Sequence, residues 1–205
     1  MKTLIFSGGE FGGIPDDLSL KDFALIIAAD KGYEYAKASH LTPHIFVGDF
    51  DSINDSEKVE CSEVITLKPE KDMTDTHEAV KIAIERGADE IVILGALGGR
   101  IDHILANIQL LKYGIDFGVK IEIKDKLNSL ILINSKLKIS KKNGYHLSLI
   151  PMTKCEGVSI KGVYYPLNNK TMDLGDTLGI SNEFIEESAE IDIKSGLLLV
   201  AVCGE

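Results

Sequence analysis

Asp75-Thr76-His77-Glu78-Ala79-Val80-Lys81-Ile82-Ala83-Ile84-Glu85-Arg86-Gly87 spaces its apolar residues at helical intervals and stops at a glycine. The pattern predicts an amphipathic helix. Val64-Ile65-Thr66-Leu67 stands before it and Glu90-Ile91-Val92-Ile93-Leu94 after it, both apolar runs of strand length. The same texture extends in both directions. Short apolar runs at 2–7, 25–29, 45–47 and 119–123 alternate with helical patterns, the clearest being 101–111, which ends at Lys112-Tyr113-Gly114. Such βα repetition implies a mostly parallel sheet. From Leu127 onward no convincing helix recurs. The runs 130–133, 146–150, 158–161 and 191–194 are strand-like, with turns expected at Asn143-Gly144, Asn168-Asn169 and Ser195-Gly196. The expected architecture is an α/β domain over residues 1–125 followed by a small all-β sandwich or barrel over 126–205, with the boundary near the charged stretch 124–128.

The 205 residues, 44% hydrophobic and 26% charged, suffice for one good core or two small ones. No apolar stretch approaches the roughly 18 residues of a membrane span. The opening Met1-Lys2-Thr3-Leu4-Ile5-Phe6 runs into Ser7-Gly8-Gly9 before a signal-peptide core forms. The expectation is a cytoplasmic protein with no membrane partner. Cys61, Cys155 and Cys203 are odd in number, far apart and lack a CxxC spacing, which reads as reduced structural thiols rather than a disulfide framework or zinc site. The net charge of −10 argues against a nucleic-acid partner. An acidic chain holds a phosphorylated substrate only with a divalent cation shared between carboxylates and phosphate oxygens, although the same charge equally serves solubility.

The acids supply a candidate site. In Val47-Gly48-Asp49-Phe50-Asp51-Ser52, directly after an apolar run, Asp49 and Asp51 stand at i and i+2. In extended chain such residues point the same way, roughly 6–7 Å apart, and can converge on one cation. A solvated turn after a strand fits the same residues equally well. Asp30 ends the run Leu25-Ile26-Ile27-Ala28-Ala29, Asp72 and Asp75 precede the quoted helix, and Asp102 follows Gly98-Gly99-Arg100. Acids at strand ends and helix starts are where an open α/β sheet gathers its ligand. Gly98 and Gly99 before a helix let an anion approach the backbone, and Arg100 adds a two-pronged donor, but a tight turn needs the same glycines. Asp75 with Glu78 also reads as a capping box, worth about 1 kcal/mol and requiring no chemistry.

Ala28-Ala29-Asp30-Lys31-Gly32, Val47-Gly48-Asp49-Phe50-Asp51-Ser52, Pro69-Glu70-Lys71-Asp72-Met73-Thr74-Asp75, Leu94-Gly95-Ala96-Leu97-Gly98-Gly99-Arg100-Ile101-Asp102-His103 and Leu178-Gly179-Ile180-Ser181-Asn182-Glu183-Phe184 resemble, in order, the signature blocks of bacterial thiamine pyrophosphokinases. The resemblance runs along nearly the whole chain. It implies an α/β domain carrying nucleotide and metal acids, a C-terminal β-sandwich contributing to thiamine binding, and a homodimer with active sites shared between subunits. Lys31 departs from the pattern, since the family more often has a second glycine there.

The implied reaction is attack of the thiamine hydroxyl on the β-phosphorus of ATP, giving thiamine diphosphate and AMP, with Mg²⁺ as the cation. By position in the motifs, Asp49, Asp51 and Asp75 become metal ligands. Asp30, Asp72, Thr74, Gly98, Gly99 and Arg100 belong to the nucleotide, and Asp102 is a candidate for orienting or deprotonating the hydroxyl. Adjacent helical residues face different directions, so His103 is not expected to act jointly with Asp102. Ser181, Asn182 and Tyr165 become the thiamine contacts. Two other readings stay open: a related pyrophosphokinase acting on another hydroxymethyl heterocycle such as 6-hydroxymethylpterin, and a non-catalytic nucleotide-binding sensor. The complete acid set disfavours the sensor.

Overall fold

The structure, a computed structural model, describes residues 1–49, 59–67 and 72–205. The chain divides into two compact units, Met1–Lys126 and Leu127–Glu205.

In the first unit, β1 (Lys2–Phe6), β2 (Leu25–Ala29), β3 (Ile45–Gly48), β4 (Glu63–Thr66), β5 (Glu90–Leu94) and β6 (Lys120–Lys124) lie in the order β6-β5-β1-β2-β3-β4. Every pairing is parallel, with Ile5 opposite Ile27 on one side and Ile93 on the other. The central strands are continuous apolar runs because they are buried on both faces; Leu4, Ile5, Phe6, Ile27, Ile91 and Ile93 are inaccessible to solvent. Helix α1 (Gly32–Ala38) packs on β1 and β2, α2 (Asp75–Glu85) on β1, β2 and β3, and α3 (Ile101–Asp116) on β6. The chain runs β1 to β4 toward one edge and then places β5 on the far side of β1. That reversal leaves a crevice at the C-terminal strand ends, where open α/β sheets bind ligands.

Helix α2 stops as its sequence predicts. Gly87 adopts φ +86° and Ala88 donates its N–H to the Ala83 carbonyl, closing the last turn on a left-handed residue. Its start corrects the expected capping box: Thr74, not Asp75, is the cap, and the Thr74 hydroxyl accepts the His77 N–H at 3.2 Å. Asp75 is the first helical residue.

The second unit is a sandwich of two antiparallel sheets. One contains β12 (Asn182–Glu183), β9 (Tyr145–Pro151), β14 (Leu198–Gly204) and β7 (Asn128–Ile133); the other contains β11 (Leu167–Met172), β10 (Cys155–Lys161), β13 (Ser188–Asp192) and β8 (Leu137–Ser140). Ile131, Leu147, Leu149, Val158, Ile160, Ile191, Leu198 and Val200 fill the space between the sheets. The turn expected at Asn168-Asn169 is instead inside β11. That strand is polar because it is an outer edge, and Asn169 takes φ +49° where its register with β10 shifts. The three cysteines are free thiols, and burial pushes the Cys155 thiol up from its ordinary pKa.

Candidate active site

A cleft of about 360 Å³ opens at the reversal point of the first unit. Its floor is built where the chain leaves β1 and β5. Ser7 donates its N–H to the Leu94 carbonyl and Gly9 to the Gly95 carbonyl, both at 2.8 Å, so the two loops continue the ladder past the strand ends. A Cβ on Gly9 would stand 2.6 Å from the Gly95 oxygen, which is why this crossing takes glycine. Two buried side-chain bonds brace the floor: the Ser7 and Thr76 hydroxyls lie 2.6 Å apart, and Asn107, inside α3, donates its amide to the Ala96 carbonyl at 2.9 Å.

The walls combine carboxylates with backbone suited to anions. Asp30 and Asp75 line the cleft together with Thr74, Gly98, Gly99 and Arg100. Asp30 turns the chain out of β2 at φ +55° and donates its N–H to the Val47 carbonyl at 2.9 Å, which seats it beside the end of β3. A Cβ on Gly48 would stand 3.0 Å from the Phe46 Cζ and 3.4 Å from the Asp30 Cα, so the glycine before Asp49 sits against the Phe46 ring with the Asp30 bend alongside. Asp49 follows directly, half-buried, outside the described walls; Asp51 lies outside the described residues. Asp72 lines a separate hollow of about 190 Å³ with Leu67, Met73 and Glu78. Among the described residues no three His, Cys, Asp or Glu groups converge tightly enough to enclose a metal. The cleft acids nevertheless present only oxygen donors. They fit a hard cation such as Mg²⁺, which is usually held by one or two carboxylates with substrate phosphates and water completing its shell.

The entrance to α3 differs from expectation. Arg100 grips Asp102 through two hydrogen bonds, 3.1 Å from Nε and 2.6 Å from Nη2, and the carboxylate also accepts the His103 N–H at 2.9 Å. The Arg100 guanidinium, with the His103 amide adding to it, holds the Asp102 carboxyl below its usual pKa. A carboxylate so occupied is a poor proton acceptor. His103, set aside on sequence grounds, is the residue of this pair that lines the cleft.

Sequence reasoning missed Ser7, Glu10, Tyr35, Thr76 and Asn107, all of which line the cleft. The signal for the first two was Ser7-Gly8-Gly9-Glu10, a glycine pair after a strand just like Gly98-Gly99. The Glu10 side chain lies against that second pair: its Cβ and Oε2 come within 2.9 Å of where a Gly98 Cβ would stand.

In the second unit, Asn182 is buried and its amide closes on the Tyr165 backbone. It accepts the Tyr165 N–H at 2.9 Å and donates to the Tyr165 carbonyl at 2.8 Å, as a neighbouring strand would. Ser181 is exposed at φ +58°, its own N–H held by the Ser148 hydroxyl at 3.0 Å. Tyr164 and Tyr165 are 62% and 63% exposed, edge to face at 4.8 Å between ring centres. Asn182 thus holds the Tyr165 main chain in place and Ser181 faces solvent beside β9.

Two family models match this chain. "Thiamin pyrophosphokinase, catalytic domain" covers residues 17–123, and "Thiamin pyrophosphokinase, vitamin B1 binding domain" covers residues 134–198. The thiamine pyrophosphokinase of Bacillus subtilis (strain 168) is 36% identical over 209 residues, spanning 98% of each chain. A crystal structure of thiamine pyrophosphokinase from Bacillus subtilis superposes with a TM-score of 0.90 at 32% identity, covering all of both chains. A thiamin pyrophosphokinase family protein from Enterococcus faecalis superposes with a TM-score of 0.91 at 28% identity, again over both complete chains. The mostly parallel α/β unit and the β-sandwich that follows it agree with these matches, and the chain belongs to the thiamine pyrophosphokinase family.

Proposed function

We propose that this thiamine pyrophosphokinase holds ATP in the cleft of its first unit, with Asp30, Thr74, Gly98, Gly99 and Arg100 around the nucleotide, and takes thiamine through Ser181 and Tyr165 of its second unit. The supporting observation is the convergence, at one sheet reversal, of the loops after β1, β2 and β5 with the start of α2, bringing acids, glycine backbone and a guanidinium to one concave surface. Asp75, Asp49 and Asp51 are the proposed ligands of Mg²⁺, which would supply charge neutralisation on the phosphate oxygens when bound. The thiamine hydroxyl oxygen forms the new bond to the β-phosphorus and gives up its proton to solvent, the bond from that phosphorus to the oxygen of the α-phosphate breaks, and AMP leaves with that oxygen. Pyrophosphoryl transfer of this kind asks the protein chiefly for placement and charge. Arg100, steered by Asp102, fits the second demand; the Tyr164–Tyr165 pair offers ring faces to the cationic thiazolium.

We further propose a homodimer with shared sites. Exposed Leu174, Leu178, Ile180 and Ile185 on the second unit and Ile101 and Leu105, one turn apart on α3, are apolar surface that a second copy would cover. The free thiols and the requirement for ATP suit the cytoplasm; among the described residues no helix is long and apolar enough to cross a membrane.

The test is to incubate the pure protein with ATP, Mg²⁺ and either thiamine or 6-hydroxymethylpterin and to identify the products. Thiamine diphosphate with AMP is expected, and EDTA should abolish its formation. Release of ADP would rule out pyrophosphoryl transfer, and conversion of the pterin alone would assign a different alcohol. Sedimentation should give about twice 22.4 kDa; a fully active monomer would overturn the shared-site arrangement.

A further inference from the structure

Lys31 follows Asp30 directly and lines the cleft beside the loop after β1; its Cβ and N lie 3.6 Å from where a Gly8 Cβ would stand. The described walls carry the carboxylates of Glu10, Asp30 and Asp75 against the side-chain cations of Lys31 and Arg100. Arg100 is engaged by Asp102. Lys31 pairs with no carboxylate among the described residues; its ammonium rests 5.7 Å from the centre of the Tyr35 ring. That ring is a fixed platform, since the Tyr35 hydroxyl donates to the Gly9 carbonyl at 2.6 Å and its face stacks on Phe11 at 4.9 Å.

A solvent-exposed ammonium over a ring is held only weakly and keeps its hydrogen-bond donors available. An ammonium on a long flexible stem is also well suited to phosphate oxygens, whose geometry is less demanding than that of a planar carboxylate. We propose that Lys31 is a polyphosphate-binding residue of this cleft: it leaves the Tyr35 ring when the nucleotide enters and pairs with phosphate oxygens over the Ser7-Gly8-Gly9 backbone. This inference rests on the reading of the cleft as the nucleotide site. It adds a second protein-borne, metal-independent cation to the one that Arg100 supplies.

The experiment measures calorimetric binding of inorganic tripolyphosphate to the full chain in EDTA at low salt, for wild type, Lys31→Met and Lys31→Arg, alongside turnover of ATP with thiamine and Mg²⁺. Lys31→Met should weaken tripolyphosphate binding about tenfold or more, as expected for loss of one charge-assisted contact, while Lys31→Arg retains most of it. In turnover, Lys31→Met should raise KM for ATP with kcat changed less than about threefold, because the contact forms with bound nucleotide before the transition state. Lys31 is exposed, so unchanged melting temperatures should accompany these effects. Equal tripolyphosphate affinity in wild type and Lys31→Met, or no binding by wild type, would overturn the proposal. Loss of tripolyphosphate binding in Lys31→Met from a protein that turns over no ATP would sustain the anion site while removing the kinase reading.

Discussion

The Ser7 and Thr76 hydroxyls meet at 2.6 Å in the buried floor of the cleft, tying the end of β1 to the first turn of α2. Each is almost fully removed from solvent, 3% and 7% exposed, so neither has bulk water as an alternative partner. Thr76→Val keeps the shape but leaves the Ser7 hydroxyl without this bond, at a cost of about 1–3 kcal/mol. For a chain of this size that lowers Tm by roughly 2–4 °C per kcal/mol. Ser7→Ala combined with Thr76→Val should recover much of the loss, since both ends of the bond are then gone. Thermal melts of the two single variants and the double variant check this; strictly additive losses would show that the hydroxyls do not depend on each other.

The loops after β1 and β5 approach too closely for any side chain at Gly9, whereas nothing lies within 4 Å of a Cβ built on Gly12. Gly9→Ala should therefore cost about 1–3 kcal/mol by overpacking, and should raise KM for ATP as the floor spreads. Gly12→Ala, in the same loop, should be neutral or stabilise by about 0.4–1 kcal/mol through the unfolded chain. Melts and ATP kinetics on both variants test the contrast. Equal effects would mean that the close approach of Gly9 to Gly95 does not shape the site.

The parallel sheet and the change to an all-β texture after it are legible because their signals are local: buried strands are continuous apolar runs, and α2 carries both its period and its terminal glycine. β11 is not legible, because an outer strand whose side chains face water resembles a turn in composition. The cleft acids are visible as motifs, but their sorting is not. Asp72 and Asp75 stand three residues apart, yet only Asp75 reaches the cleft, since the turn into α2 sends Asp72 toward Met73 and Glu78. Asn107 and Thr76 are invisible because each looks like an ordinary helical residue. Their partners, the Ala96 carbonyl and the Ser7 hydroxyl, are distant in sequence and adjacent only after folding.

His77 sits between α2 and α3, its ring edge-on to Tyr113 at 4.7 Å and its Nε2 buried without a hydrogen-bond partner among the described residues. Desolvation lowers its pKa below the ordinary 6.5, with Glu78 opposing and Lys81 adding to the shift. A histidine depressed in the folded state binds fewer protons than in the unfolded chain. Its contribution is thus complete above the unfolded pKa and is lost as the pH falls from there through the folded value. Between about pH 7 and pH 5 wild type should lose stability faster than His77→Gln, whose amide stays neutral. Denaturant melts of both proteins across that range decide the matter, because the carboxylates they share cancel in the difference. Parallel curves would remove His77 from the acid response.

Asp102 and Arg100 form a two-pronged pair at the entrance to α3, and the pairing assigns them unequal parts. A general base contributes about 10²–10⁴ to turnover, so if Asp102 accepted the hydroxyl proton, Asp102→Asn would lower kcat by that much and leave KM for ATP nearly unchanged. As the group that steers Arg100, it should behave differently. Asparagine still accepts one hydrogen bond from the guanidinium, so kcat should fall by about tenfold or less, while KM for ATP rises as Arg100 loses its second prong. Arg100→Gln removes the charge itself and should cost about 10² or more in kcat, the scale of one preorganised electrostatic contact. Because Arg100 holds the Asp102 carboxyl below its usual range, that group stays ionised across neutral pH. The pH dependence of kcat between about pH 6 and 9 should therefore be the same in wild type and Asp102→Asn. Steady-state kinetics of both variants across that range separate the roles. A loss above about 10³ in Asp102→Asn with unchanged KM would return the proton to Asp102 and make Arg100 its partner instead.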